Sequence, residues 1–182
     1  MLAFDLDDEK FDEITAAYDA TPKQIKLAQN RALRRTAATL RKLSSKGLQS
    51  GLGLRNAKAL RRRLKEYRVG KGGSGLKLWY GANDLPISSF KGRPRAVSGG
   101  VQVGDTTIHG AFFSKMQGKR RVMVRTDPKG RWSIAEATLP VADRMMIFLE
   151  DNVFVDIDAI FFRHFNHEIR AVTVLKIGDY KR

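Results

Sequence analysis

The sequence predicts an α+β fold: an antiparallel β-sheet packed by a long N-terminal helix and by C-terminal helices. Three observations carry it. Apolar residues recur at helical spacing up to about residue 68. Between 76 and 139 they alternate with a period near two. After Pro140 the helical spacing returns. Segregated runs of helix and strand are the pattern of an α+β domain. With 182 residues, 42% of them hydrophobic, the chain suits an arm at 1–21 and a single domain at 22–182.

Residues 7–18 form a short helix with Phe11, Ile14 and Tyr18 on one face. Thr21-Pro22-Lys23-Gln24 starts the next. Thr21 is the cap, Pro22 fits the first turn, and Gln24 closes a capping box. That helix runs to about 46 and stops at Gly47. Its apolar stripe is Ile25, Ala28, Ala32, Thr36, Leu40 and Leu43. After a break at 50–53, a second basic helix is expected over 54–68. Leu54, Ala57, Leu60, Leu64 and Tyr67 face inward, with Arg61, Arg62, Arg63 and Lys65 mostly on the other side. Gly70-Lys71-Gly72-Gly73-Ser74-Gly75 reads as a flexible linker.

Leu76, Leu78 and Tyr80 alternate as a half-buried strand does. Asn83-Asp84-Leu85-Pro86 turns the chain, 87–90 forms an edge strand, and the basic stretch 91–100 is a loop. Val101-Gln102-Val103, a Gly104-Asp105 turn and 106–113 make a β-hairpin. A turn at 115–119, a strand at 121–125, a turn at 126–130 and a strand at 132–139 follow. Pro140 opens a helix with Val141, Met145, Phe148 and Leu149 on one face. Asp156 or Asp158 caps the last helix, where Phe161, Phe165, Ile169 and Val172 repeat at helical spacing. Phe162 cannot share the Phe161 face, so one of the two is free to pack on a partner. The tail from Lys176 is short and loose.

Charge is the most directional feature. Residues 22–69 carry fifteen Lys and Arg against one acid, Glu66, in a chain of net +15. The arm at 1–21 is net −6, residues 70–138 are net +8 and residues 139–182 net −1. Like charges crowded on helical turns repel, and solvated faces normally mix signs. A polyanion such as a phosphate backbone is the natural partner. The contact is non-specific, because no base-reading motif accompanies the cations. Tyr67 is the one aromatic residue in 22–69, so stacking on single strands is not expected to dominate.

Other chemistries lack a framework. There is no cysteine, which excludes disulfides and thiolate sites. No apolar run is long enough to span a bilayer, and no secretion signal is recognisable. His164 and His167 lie three apart on a helix, but no third metal ligand has a recognisable spacing. The stretch 70–75 lacks the GxxxxGK[ST] spacing of a phosphate loop. Asp5, Asp7, Asp8 and Glu9 suggest nuclease carboxylates only by type, because they sit at a chain end. Ser88 and Ser89 have no motif around them. No nucleophile, base and orienter come together, so no enzymatic activity, cofactor or metal is expected.

In order along the chain stand Asn30-Arg31-Ala32, then Leu54-Arg55-Asn56-Ala57-Lys58-Ala59-Leu60-Arg61-Arg62-Arg63-Leu64-Lys65. Asp84-Leu85-Pro86-Ile87 follows, then Val103-Gly104-Asp105-Thr106-Thr107-Ile108-His109-Gly110-Ala111-Phe112-Phe113. Val122-Met123, Ile134 and Leu139-Pro140 precede the C-terminal helices. This order resembles the minor tail protein Z family of tailed bacteriophages and prophages, the lambda-like tail completion proteins. The resemblance spans about residues 22–175 and leaves the acidic arm outside it.

The resemblance implies a structural virion protein, not an enzyme, assembled in the host cytoplasm. It would sit at the head-proximal end of the tail, in the neck, and join the tail terminator protein to head-tail connector or adaptor proteins. By analogy with other neck proteins it would form a homo-oligomer, a hexameric ring around the channel for double-stranded viral DNA. Residues expected to face DNA or an acidic partner are Arg34, Arg35, Arg41, Arg61, Arg62, Arg63 and Lys65. Those expected at subunit contacts are Val101, Val103, Ile108, Phe112 and Phe113, because unpaired sheet edges invite pairing. The alternative is a free, non-specific DNA- or RNA-binding protein.

Overall fold

The computed structural model describes residues 7–69, 75–116, 118–127 and 133–177. The fold class is α+β, with antiparallel pairing throughout the described strands. The expected single domain divides into two compact units. The first draws on Met1–Ser44, Leu64–Tyr80 and Leu149–Arg182, the second on Ser45–Arg63 and Gly81–Phe148.

In the first unit, helix α1 (Asp8–Ala17) is capped by Asp7, whose carboxylate accepts from the Lys10 amide at 3.1 Å. Helix α2 (Pro22–Gly51) begins with the expected capping box. The Thr21 amide donates to Gln24 Oε1 at 2.9 Å, and the Gln24 amide reaches Thr21 Oγ1 at 3.4 Å. Helix α4 (Ile157–Thr173) packs its apolar stripe on both. Phe161, Phe165 and Ile169 meet Ala28 and Ala32, and Phe11, Ile14 and Tyr18 close over them. Small residues on α2 let the phenylalanines approach, and Phe11 stacks on Phe165 with ring centroids 4.7 Å apart. Each large apolar side chain buried in this way contributes about 1.5–3 kcal/mol.

Both Phe161 and Phe162 are buried, so neither is left for a partner. Helix α1 brings the Lys10 ammonium to 4.8 Å from the Phe162 ring centroid, covering the face that the last helix alone would expose. Asp156 occupies the cap position of α4 without a side-chain cap bond.

The α2 stripe departs from expectation at its C-terminal half. Leu43 is exposed, whereas Ser44 and Leu48 are buried. Burial of Ser44 is tolerated because its hydroxyl donates to the Leu40 carbonyl at 2.7 Å and lies 3.0 Å from the Tyr80 hydroxyl. Gly47 does not stop the helix. The Phe148 ring stands where a side chain would be, 2.3 Å from an ideal Cβ, so residue 47 is small for packing and not for chain reversal.

The second basic helix is absent. Residues 57–59 make one 3-10 turn, entered through Asn56, which accepts from the Lys58 amide at 3.0 Å. Strand β1 (Leu64–Val69) follows and pairs antiparallel with β2 (Gly75–Tyr80), Leu64 opposite Tyr80 and Val69 opposite Gly75. Cross-strand pairing outweighs the helical propensity of Leu, Lys and Glu here. A helix would also stack Arg61, Arg62, Lys65 and Arg68 at repelling spacings. Of the expected linker, 70–74 lies outside the described residues.

Among the described residues the second unit holds three small sheets where the sequence predicts one antiparallel sheet. β3 (Leu85–Pro86) pairs with β10 (Thr138–Leu139). β4 (Arg95–Val97), β5 (Gly100–Val103) and β6 (Thr106–His109) form one meander. β7 (Phe112–Met116), β8 (Lys119–Arg125) and β9 (Ile134–Glu136) form another. Residues 87–89 form a 3-10 turn and not an edge strand, following Pro86, which cannot donate to a ladder. The loop expected at 91–100 contains β4. The Gly104-Asp105 hairpin is as expected, but the run 106–113 breaks at Gly110, whose φ of 69° is outside any strand. The strand expected over 132–139 is split at Ala137, whose carbonyl instead accepts from the Ile87 amide at 2.9 Å. Trp132, part of the 126–130 turn, Asp5 and the end of the tail lie outside the described residues.

Ile87, Val101, Val103, Ala111, Val122 and Ala137 form the core of these sheets. Helix α3 (Ala142–Leu149) places Val141, Met145 and Leu149 inward, as its spacing predicts, and passes into a π-helical turn at Glu150–Phe154.

Candidate nucleic-acid interface

Helix α2 contains no acid and eight Lys and Arg, of which all but Arg31 are exposed. Lys23, Arg34 and Arg41 are exposed. Separations of eleven and seven residues close nearly on whole helical turns, so the three share one stripe, spread over roughly 27 Å at about 1.5 Å per residue. No carboxylate among the described residues forms an ion pair with Arg34 or Arg41. Arg31 and Arg35 instead turn to Glu168 of α4. Arg35 Nε lies 2.7 Å from Glu168 Oε1, and Arg31 Nη1 lies 3.8 Å from Oε2. Oε1 has no aligned hydrogen-bond donor, so the Arg35 pairing is Coulombic more than directional. Glu168 is almost completely buried. One carboxylate thus offsets a single unit of charge between the two arginines, and the Arg35 side chain stays 53% exposed.

His164 Nε2 lies 3.1 Å from Thr39 Oγ1. Partial burial and the neighbouring Arg163 and Arg35 charges push its pKa below the usual histidine range, against the opposing pull of Glu168. It is therefore a neutral hydrogen-bonding group near neutral pH. His167 Nδ1 is 3.8 Å from Glu168. Among the described residues no group of three or more His, Cys, Asp or Glu is arranged to hold a metal ion.

In the second unit, Arg61 and Arg62 are exposed, while Arg63 is half-buried and structural. Its guanidinium donates to the Asn83 carbonyl and, at 2.9 Å, to that of Asp84, tying the turn before β3. Arg63 therefore serves the fold before it serves a partner. The residues expected at subunit contacts are largely spent on their own sheets. Val101 and Val103 are buried, and Ile108 and Phe113 pack on the same core. Phe112 and Phe113 keep part of their surface, over which Arg125 and Arg120 stand at 5.9 and 3.9 Å. Arg121 ion-pairs with Glu136, which also accepts from the Ser88 amide at 3.2 Å. Burial acts to raise the Glu136 pKa, but the Ser88 and Arg121 hydrogen bonds and the Arg121 charge outweigh it and hold the carboxyl below its usual range.

Lys65 belongs to strand β1, where it lies opposite Trp79. Its ammonium is 5.5 Å from the Trp79 ring centroid. Trp79 and Lys77 were missed as site residues. The available signal was one alternating run, Leu76 to Tyr80, after a glycine-rich segment; its partner 64–69 does not alternate and was not legible as a strand.

Comparison with protein-family models, with curated proteins and with solved structures finds no match for this chain. No helix among the described residues is long and apolar enough to cross a membrane.

Proposed function

We propose that this chain is a structural virion protein of a tailed bacteriophage. It acts as a tail completion protein at the head-proximal end of the tail, where copies form a ring around the DNA channel and join the tail terminator to the head connector. The observation that carries the reading is the unpaired cationic stripe of α2, in a chain of net +15. A stripe of one sign with no carboxylate among the described residues in ion-pair contact with Arg34 or Arg41, unaccompanied by a base-reading motif, suits a conduit for duplex DNA. The resemblance of the segment order to the minor tail protein Z family is what supports this position in the particle. The role is architectural and involves no reaction.

The test is removal of the chain from the phage or prophage that encodes it. DNA-filled heads and full-length tails should then accumulate separately, visible by electron microscopy of gradient fractions. Normal particle yield without the chain would defeat the reading. If, in addition, the isolated monomer binds duplex DNA tightly and with steep salt dependence, it is a free nucleic-acid binder.

A further inference from the structure

We propose that the outward face of the β1–β2 hairpin binds single-stranded nucleic acid, with bases stacked on Tyr67 and Trp79 and phosphates held by Lys65 and Lys77. The register sets Lys65 opposite Trp79 and Tyr67 opposite Lys77. Paired residues in an antiparallel ladder project to one face, so the four form a checkerboard, aromatic on one diagonal and cationic on the other. All four are exposed, Tyr67 by 48% and Trp79 by 43%. The other face of the hairpin is the inward one. Leu64 is buried there, Glu66, Leu78 and Tyr80 are half-buried, and the Tyr80 ring packs edge-on against Phe154 at 5.7 Å. The one acid of the hairpin thus points away from the checkerboard.

Tyr67 and Trp79 present two partly exposed aromatic rings on one face, flanked by cations, the make-up of a stacking platform. Their setting selects the occupant. Diagonal neighbours in such a ladder stand about 7–8 Å apart, a spacing for two successive bases of an extended strand. Duplex bases are already stacked on one another and offer no free face to the rings. Lysines at both cationic corners favour a polyanion over an apolar protein surface, and the Lys65 ammonium that lies over the Trp79 ring would move to a phosphate as a base takes its place. Stacking on π-faces is tolerant of sequence. The site needs only this hairpin, so it does not depend on the tail reading.

The test uses the full chain, fluorescein-labelled oligothymidylate, a duplex of equal length, and heparin as a polyanion without bases. The variant Y67A/W79A should weaken oligothymidylate binding by about thirtyfold or more, the loss of two stacked bases. Duplex and heparin binding should be unchanged. K65Q/K77Q should reduce the salt slope for oligothymidylate by roughly 1.4, at about 0.7 per phosphate contact. Photo-cross-linking of bromouracil-substituted oligonucleotide to the unaltered chain guards against a folding defect in the variants, and should label Tyr67 and Trp79. Equal loss of duplex and heparin binding in Y67A/W79A, undiminished oligothymidylate binding, or cross-links confined to other segments would each overturn the proposal.

Discussion

At the scale of single residues, three positions show how the surroundings decide a side chain's role. Gly47 reads as a helix stop in isolation but is a packing residue beneath Phe148. Gly47→Ala should destabilise by about 1–2 kcal/mol in denaturant melts, because overpacking exceeds the roughly 1 kcal/mol of helix propensity gained. In a Phe148→Ala background the same substitution should stabilise instead, a coupling that a double-mutant cycle reads directly. Glu168→Gln leaves Arg31 and Arg35 without their carboxylate and should cost about 2 kcal/mol. His164 carries a pH signature. Its pKa is lower folded than unfolded, so the unfolded chain binds more protons as pH falls. Its contribution is complete above about 6.5 and is lost as pH falls through the folded value. His164→Gln should flatten that decline in stability curves measured between pH 7.5 and 5.

At the scale of elements, legibility followed the strength of local chemistry. The Thr21–Gln24 box, the Phe161, Phe165 and Ile169 stripe and the Gly104-Asp105 hairpin rest on neighbours three or four residues away, and each is in place. Residues 64–69 were not legible as a strand from composition, because Leu, Lys and Glu favour helix while their pairing partners lie beyond a glycine-rich gap. Burial of Ser44 was equally hidden, since it depends on Tyr80 from the hairpin. Burial raises the Tyr80 pKa, with the Ser44 bond opposing it, so the phenol stays protonated as a donor at neutral pH. Tyr80→Phe should cost about 1 kcal/mol and expose no new surface, measured as a drop in denaturation midpoint at unchanged slope. The candidate site followed the same division. Exposed Arg34, Arg41, Arg61 and Arg62 were legible from charge alone, whereas the diversion of Arg35 to Glu168 and of Arg63 to the 83–84 carbonyls required the fold.

At the scale of the whole molecule, the α+β class was legible because helical and alternating patterns segregate along the chain. Its division into two units was not, because both units are assembled from segments far apart in sequence. Each unit presents cations that its own carboxylates leave unneutralised, and that surplus is what the tail-joining proposal uses. The most direct measurement is joining in vitro, with DNA-filled heads and tails purified from particles lacking the chain. Adding the unaltered protein should restore joined, infectious particles. The variant R34Q/R41Q/R61Q/R62Q changes only exposed side chains and should melt as the unaltered chain does, within about 0.5 kcal/mol, yet fail to join. Joining by that variant at the unaltered rate, or joining without any added chain, would contradict the proposal.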